Sequence, residues 1–401
     1  MQTLLVHMRE MTAVERVPRE LWMLFTHRVF MRLGLVGLST FSVSLLYVYT
    51  GNSLVMTGLL YAALHLVSGI LTPWSTRLIG TLGIKKMLLY ATPLAILSLG
   101  SFALIETYPW AVIAVSLTSA AVYKAIYWVP YQVDMALLVD KNARGRQVAL
   151  LSNGSDVLIA LTPLLGGIAL TQFGISASFL VGALIMSAAI LPLLFIKERY
   201  ESYSWGYLET FQRLFKINNR ALLFGYMGDG AQSVALSVPW ILFIFVLVEG
   251  RFDTLGLVSA VTLIALIMLR AATGTLFDKW DKKRVLIIGG VLNATGWLLK
   301  LFVVTPVGVF LSDTYHGAGR VSQRTSIEAV TYEQAADSGR YIDEYTALKE
   351  IALSIGRAVM LLLMSGAAFL FGFEIAITIT IICAALTSLS ASMLSQRISV
   401  V

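Results

Sequence analysis

Cysteine is almost absent from this 401-residue chain: Cys383 stands alone inside an apolar run, so neither a disulfide framework nor a cysteine metal site can be built. Charge is scarce as well. Asp, Glu, Lys and Arg make up 13% of the residues, where a soluble globular domain carries about 25%. The four histidines, His7, His27, His65 and His316, form no ligand-spaced pair. No HExxH, GxGxxG, P-loop or GxSxG pattern occurs, which removes the usual footholds of soluble enzyme chemistry. The chain is therefore expected to be no enzyme and to need no cofactor or metal.

What is abundant is apolar side chain, 57% of the sequence. A soluble core of this size would leave much of it facing water. The net charge of +7 is no nucleic-acid footprint, because Lys and Arg fall in short clusters between apolar runs and not in a stripe. A bilayer core of about 30 Å needs about 20 apolar residues per helix. Runs of that size lie near 29–50, 53–76, 86–105, 110–138, 148–173 and 178–196. A second set lies near 221–248, 255–277, 285–303, 307–332, 345–372 and 374–396, the tenth run being polar along much of its length. The first run is too long and too late for a cleavable signal peptide. Ahead of it, a surface helix opening at Pro18 is expected.

Twelve spans put both termini on one side. With the N-terminus inside, nearly all loop Lys and Arg are inside, and the outer segments hold only Arg251 and the borderline Lys300. The positive-inside rule then makes both termini cytoplasmic. The longest connection, 197–220, contains GYLETFQRLFKI, an amphipathic pattern suited to the inner surface. The expected layout is a cytoplasmic segment 1–28, a six-helix bundle 29–196, the linker 197–220, a second bundle 221–396 and a tail 397–401. A shift of 194 residues lays Asp134 on Glu328, Gly145-Arg146 on Gly339-Arg340, and Asp156 on Glu350. GIKKMLL from Gly83 matches DKKRVLI from Asp281 at a slightly different offset. Such ordered matches indicate a duplicated half.

GTLFDKWDKKRVL (Gly274 to Leu286) resembles the loop signature of the major facilitator superfamily. Gly274, Asp278, Lys279, Lys282 and Lys283 stand in its slots, with Asp281 where that family usually has Gly. The first-half counterpart keeps Gly83, Lys85 and Lys86 but has Gly80 in place of the family's Asp. The stretch from Ala136 to Gly167 is similar to that family's helix 4–5 junction, with Arg144 and Arg146 in the loop. Gly154, Pro163 and Gly166-Gly167 look like its antiporter motif, although Thr162 replaces a Gly. The resemblance implies an all-α membrane protein of twelve transmembrane helices, with two six-helix bundles related by a pseudo-twofold axis. It also implies that helices 1, 4, 7 and 10 line a central cavity.

A charge at mid-bilayer costs about 2.5–3.5 kcal/mol on insertion scales, so each needs a reason. Span 10 carries Asp313, His316, Arg320, Arg324 and Glu328 on about a third of its circumference. Span 4 sets Lys124, Tyr127, Trp128 and Tyr131 on one side, where a lysine among rings suits an anionic or amphipathic solute. Alternatively, Lys124 pairs with Asp229 or Asp313 and holds the halves together. Asp229, Asp313 and Glu328 are candidates for carrying a proton, or are permanent partners of Arg320 and Arg324. His65, alone in span 2, reads as a hydrogen-bonded packing histidine, with a proton relay as the alternative, and Arg32 as a residue that snorkels to the interface. By the family resemblance, Asp156 should meet the Asp278/Lys279 loop, and Glu350 should meet Arg77, Lys85 or Lys86, forming the inner gate. Helix capping is the plainer role for both acids.

The expectation is a monomeric secondary transporter in a bacterial cytoplasmic membrane, with a small-molecule solute, protons and the lipid bilayer as its partners and no nucleic acid. It would move a small polar or anionic organic solute, coupled to protons, by alternating access. Proton-driven efflux of amphiphilic compounds is the alternative, followed by a non-transporting protein on the same fold.

Overall fold

A computed structural model describes residues 17–139, 147, 154–277, 282–337 and 342–390, and of these the side chains of 270–277, 282–287, 322 and 324–337 are left aside. The described chain is helical, with no strand among the described residues. α1 (Arg19–Tyr49), α2 (Leu54–Leu82), α3 (Ile84–Gly100) and α4 (Pro109–Leu138) follow one another through short turns. α5 (Thr162–Ser187) and the short α6 (Ile190–Leu194) come next, then α7 (Tyr207–Leu214) in the linker. α8 (Arg220–Ser237) and α9 (Pro239–Leu247) are separated only by Val238. α10 (Phe252–Phe277), α11 (Lys282–Leu299), α12 (Pro306–Asp337), α13 (Ile342–Phe371) and α14 (Phe373–Ser388) follow.

Helices are the form such apolar runs must take, since hydrocarbon offers no partner to a free N–H or C=O. Among the described residues, eight helices are long and apolar enough to cross a membrane. One of them, 154–194, is broken at Gly174, whose φ of 80° needs a residue without a Cβ. That break falls where the sequence puts the boundary between the fifth and sixth runs. Gly83, at φ 86°, ends α2 in the same way, and Ser53 caps its start by accepting from Met56 N–H at 3.1 Å.

Two expectations change. α1 does not begin near Val29: it runs unbroken from Arg19, because Leu21 and Leu24 are fully buried and hold its first turns in the bundle. Its 31 residues span about 47 Å at 1.5 Å per residue, longer than the bilayer core. The linker is also docked and does not merely lie on a lipid surface. Trp205 and Leu214 enter a core with Leu222, Leu223, Tyr226, Tyr345, Leu348 and Ile351. Gly206 N–H and Arg213 hold the Glu209 carboxyl below its ordinary range, which fixes the first turn of α7.

Between the two halves, α2 packs along α13 and α5 along α10. Small residues set both approaches. A Cβ on Gly167 would stand 2.5 Å from Phe252 O, and one on Gly69 would stand 3.1 Å from the Ser354 Cβ. Van der Waals packing of this kind, not the hydrophobic effect, is what joins helices in lipid. On the orientation read from the charges, cysteines placed at Asn52 and Arg251 are expected to react with an impermeant maleimide from outside. A cysteine at the exposed Leu208 should react only from the cytoplasm, and labelling of Leu208 from outside would refute the orientation.

Candidate functional site

The span-4 face does not form one box around Lys124. Tyr127 is fully buried, stacks on Tyr131 (5.5 Å between centroids) and meets Trp128 edge-on at 5.6 Å. The cation over these rings is Arg28 of α1, with its Cζ 5.9, 4.7 and 5.6 Å from the Tyr127, Trp128 and Tyr131 centroids. His27 locks the wall from behind. Its Nδ1–H donates to Ala189 O at 2.9 Å, which leaves Nε2 to accept from Tyr127 O–H at 3.1 Å. One helical turn along α1, Arg32 turns inward and does not snorkel to the interface, because Asp156 takes it at 2.7 Å and Ser155 Oγ also accepts from it.

Lys124 lies instead at the seam between the halves. It is half-buried and stands in the electrostatic field of Glu350 and Arg357 from α13, not of Asp229 or Asp313. His65 of α2 is buried beside the same two cations, with its Nδ1 making no hydrogen bond. Gln132 of α4 bridges to α13: it donates to Glu350 at 2.6 Å and accepts from Lys349 at 2.5 Å. Arg357 reaches Ser233 of α8 at 3.3 Å. A band of ionisable and amide groups therefore crosses the α2–α4–α13 seam.

A third cluster lies inside the second half. Asp313 pairs with Lys300, whose side chain is fully buried, and accepts from Trp240 Nε1 at 3.1 Å. Lys300 Nζ is 4.0 Å from the Trp240 ring centroid and 5.6 Å from that of Trp297. Lys300 is thus no outer-loop charge, because the two indoles and the aspartate hold it inside. His316 packs on Trp297 and donates to Asn293 at 2.8 Å. Asn293 then donates to Gln232 and Gln323, at 2.8 and 2.5 Å. Arg320 is half-buried and acts electrostatically on Lys300 and His316, while Asp229 is half-buried on α8.

At the end of the bundle that holds the linker, Glu350 does not meet its expected partners among the described residues, and the loop expected to meet Asp156 lies outside them. Lys85 donates to Leu194 O at 2.8 Å, its N–H meets Glu198 at 2.8 Å, and Lys86 is exposed. Arg77 grips Trp205 O through Nε and Nη2 at 3.1 and 2.9 Å. Glu350 consequently meets none of them. The linker reaches these bases first, through Ile84 N–H donating to Arg199 O at 2.8 Å. Arg199 also joins Asp134, at 2.7 Å, to Glu20. Arg144, Arg146, Asp278 and Lys279 lie outside the described residues, and the side chains of Gly274, Arg324 and Glu328 lie outside the described part of their helices.

No protein-family profile matches the chain. It is 25% identical over 269 residues to a Lactococcus lactis protein described as a multi-drug resistance efflux pump PmrA homolog, covering 64% of this chain and 65% of that one. It is equally similar, over 263 residues and with the same shares, to multi-drug resistance efflux pump PmrA of Streptococcus pneumoniae. The chain thus spans just under two thirds of the length of the curated relatives it matches. This is a chain of membrane-length helices, similar to efflux pumps.

Sequence reasoning missed Arg28 and Arg357 and placed Lys300 at the outer side. Arg357 sits in the apolar stretch IALSIGRAVML, where the insertion-cost argument applied to span 10 finds it directly. Arg28 stands four residues before Arg32, on the same face of α1. The neutral amides Asn293, Gln232 and Gln323 carry no charge to count, and only the packing brings them together.

Proposed function

We propose that the chain is a secondary transporter of the major facilitator type that exports amphiphilic compounds by alternating access, with protons as the driving ion. The observation that carries this reading is an aromatic wall, Tyr123, Tyr127, Trp128 and Tyr131, facing inward on a membrane helix beside the seam, in a chain similar to multidrug efflux pumps. Flat rings offer apolar area without demanding a fixed hydrogen-bond pattern, which suits amphiphiles of varied shape.

Twelve spans are supported by counting 154–194 as two across Gly174 and adding Ile288–Phe302, Phe373–Ser388 and the polar α12 to the other long helices. The pseudo-twofold is supported by the seams. Exchanging the halves turns the pair of spans 2 and 11 into the pair of spans 8 and 5, and both pairs are in contact. In this reading Asp229, Asp313 and Glu328 are the candidates for carrying the proton, and Asp313 is the one held by a described cation, Lys300.

A second reading, transport of an organic anion, rests on the seam itself. There Lys124 stands near Arg357 and Glu350, and Gln132 joins Glu350 to Lys349. Proteoliposomes with an imposed proton gradient discriminate between the two. Ethidium should be driven out of the compartment that the cytoplasmic face adjoins, and a protonophore should abolish its movement. Gradient-driven movement of organic anions, with ethidium unmoved, would replace export by the second reading.

A further inference from the structure

Arg28 presents a guanidinium inside the bundle with no carboxylate at ion-pair distance among the described residues, and its Nη1 makes no hydrogen bond. It stands near the hydroxyls of Tyr123 and Tyr127 and against three π faces: Tyr127 and Tyr131 nearly parallel (12° between planes), and Trp128 almost perpendicular to both, at 87° and 90°. That is the geometry with which a protein recognises an organic cation. A staple between α1 and α4 needs no charge. Leu or Met at position 28 would span the gap without the cost of desolvating a guanidinium.

An alternative berth lies one turn along α4. Asp134 follows Tyr131 by three residues and acts on it electrostatically. Its Oδ1 accepts from Arg199 at 2.7 Å, while its Oδ2 is buried and has no hydrogen-bond partner. Arg28 thus has an unmade donor, and Asp134, one turn beyond Tyr131 on α4, has an unmade acceptor. A buried acceptor left unmade is costly, and a mobile arginine can satisfy it.

We propose that Tyr127, Trp128 and Tyr131 form a binding site for an organic cation, and that Arg28 is its tethered occupant, leaving the rings for Asp134 when the cation enters. This inference rests on the export reading and deepens it, because it names the ligand class and the residue that competes with it. Arg28 sets specificity: a guest must satisfy the rings better than the guanidinium does, which rejects neutral and anionic compounds. It also keeps the π faces covered when no substrate is present.

Equilibrium binding of tetraphenylphosphonium to the full chain in lipid nanodiscs tests this. Arg28→Gln should bind it about tenfold more tightly than the wild type, since the internal competitor is gone. Arg28→Gln with Trp128→Leu should lose that gain. Asp134→Asn should weaken binding severalfold when Arg28 is present and have no effect in the Arg28→Gln background, a coupling that a purely structural aspartate does not produce. If Arg28→Gln does not fold, Arg28→Lys should bind severalfold more tightly, an ammonium being a poorer rival on the rings. Unchanged or weaker binding in a folded Arg28 variant would make Arg28 a fixed staple and overturn the proposal. Ethidium export by the wild-type protein is measured alongside. Export without any gain in Arg28→Gln sinks the cage and leaves the export reading standing, while a gain without export does the reverse.

Discussion

Replacing Lys300 by methionine is expected to lower the thermal denaturation midpoint in detergent by many degrees, at a cost of about 3 kcal/mol or more. Methionine keeps the length and apolar stem of the lysine, so packing against Trp240 and Trp297 survives. What is lost is the charge. Asp313, with a side chain only 16% exposed, then keeps Trp240 Nε1 as its only described hydrogen-bond donor. An ionised carboxylate in that position is uncompensated in a low-dielectric interior. Asp313→Asn alone strands the buried ammonium and should be destabilising too. The double variant Lys300→Met with Asp313→Asn removes both charges and should regain most of the loss, because paired buried ions can be replaced together at little net cost. Equal destabilisation in the single and double variants would mean that Lys300 contributes through shape alone. If Asp313 also carries the transported proton, Lys300→Met should leave substrate exchange intact while uncoupling it from the proton gradient.

The pair also shows why the sequence reading went only part of the way. Run length and the polarity of bilayer interiors made the helices legible, down to the break at Gly174, and the amphipathic pattern of 206–217 made the linker helix legible. Both depend on local composition. The site depends on which faces meet. Asp313 was visible as an ionisable residue on a membrane helix, yet its partner lies in the turn before α12, where charge counting put it outside. Lys124 was visible, but a helical wheel gives a direction and not a neighbour: the α2–α13 seam took it, and α1 supplied the cation for the rings. Arg28 was hidden by a boundary error of one kind only. The apolar run starts near Val29, while Leu21 and Leu24 extend the buried helix two turns earlier.

The other large effect is expected from one methyl group. Gly256→Ala should lower transport by about tenfold to a hundredfold while leaving the protein in the membrane. Gly256 lies on α10 where that helix crosses α5. A Cβ there would run into Pro163 O and come within 3.2 Å of Gly167 Cα. Both obstacles are backbone, so no side chain can swing aside. The helices must separate, and the adjoining ring contacts of Phe252 with Phe41 (5.9 Å) and Phe245 (5.5 Å) open with them. In the alternating-access reading this seam closes the outer side, so holding it apart biases the protein toward states open to the outside. A cysteine at Tyr47, which faces Phe373 at 6.3 Å across the same end, should then react faster with an impermeant maleimide. Two alanine controls calibrate the claim. At Gly366 a Cβ meets nothing within 4 Å, so alanine should be silent. At Gly69 it meets the Ser354 Cβ at 3.1 Å, and the α2–α13 seam need give by only a few tenths of an ångström, so a modest loss is expected. A graded series, from Gly366 through Gly69 to Gly256, is what steric control of the seams requires. Equal effects at all three positions would mean that helix propensity and not closure sets the rate.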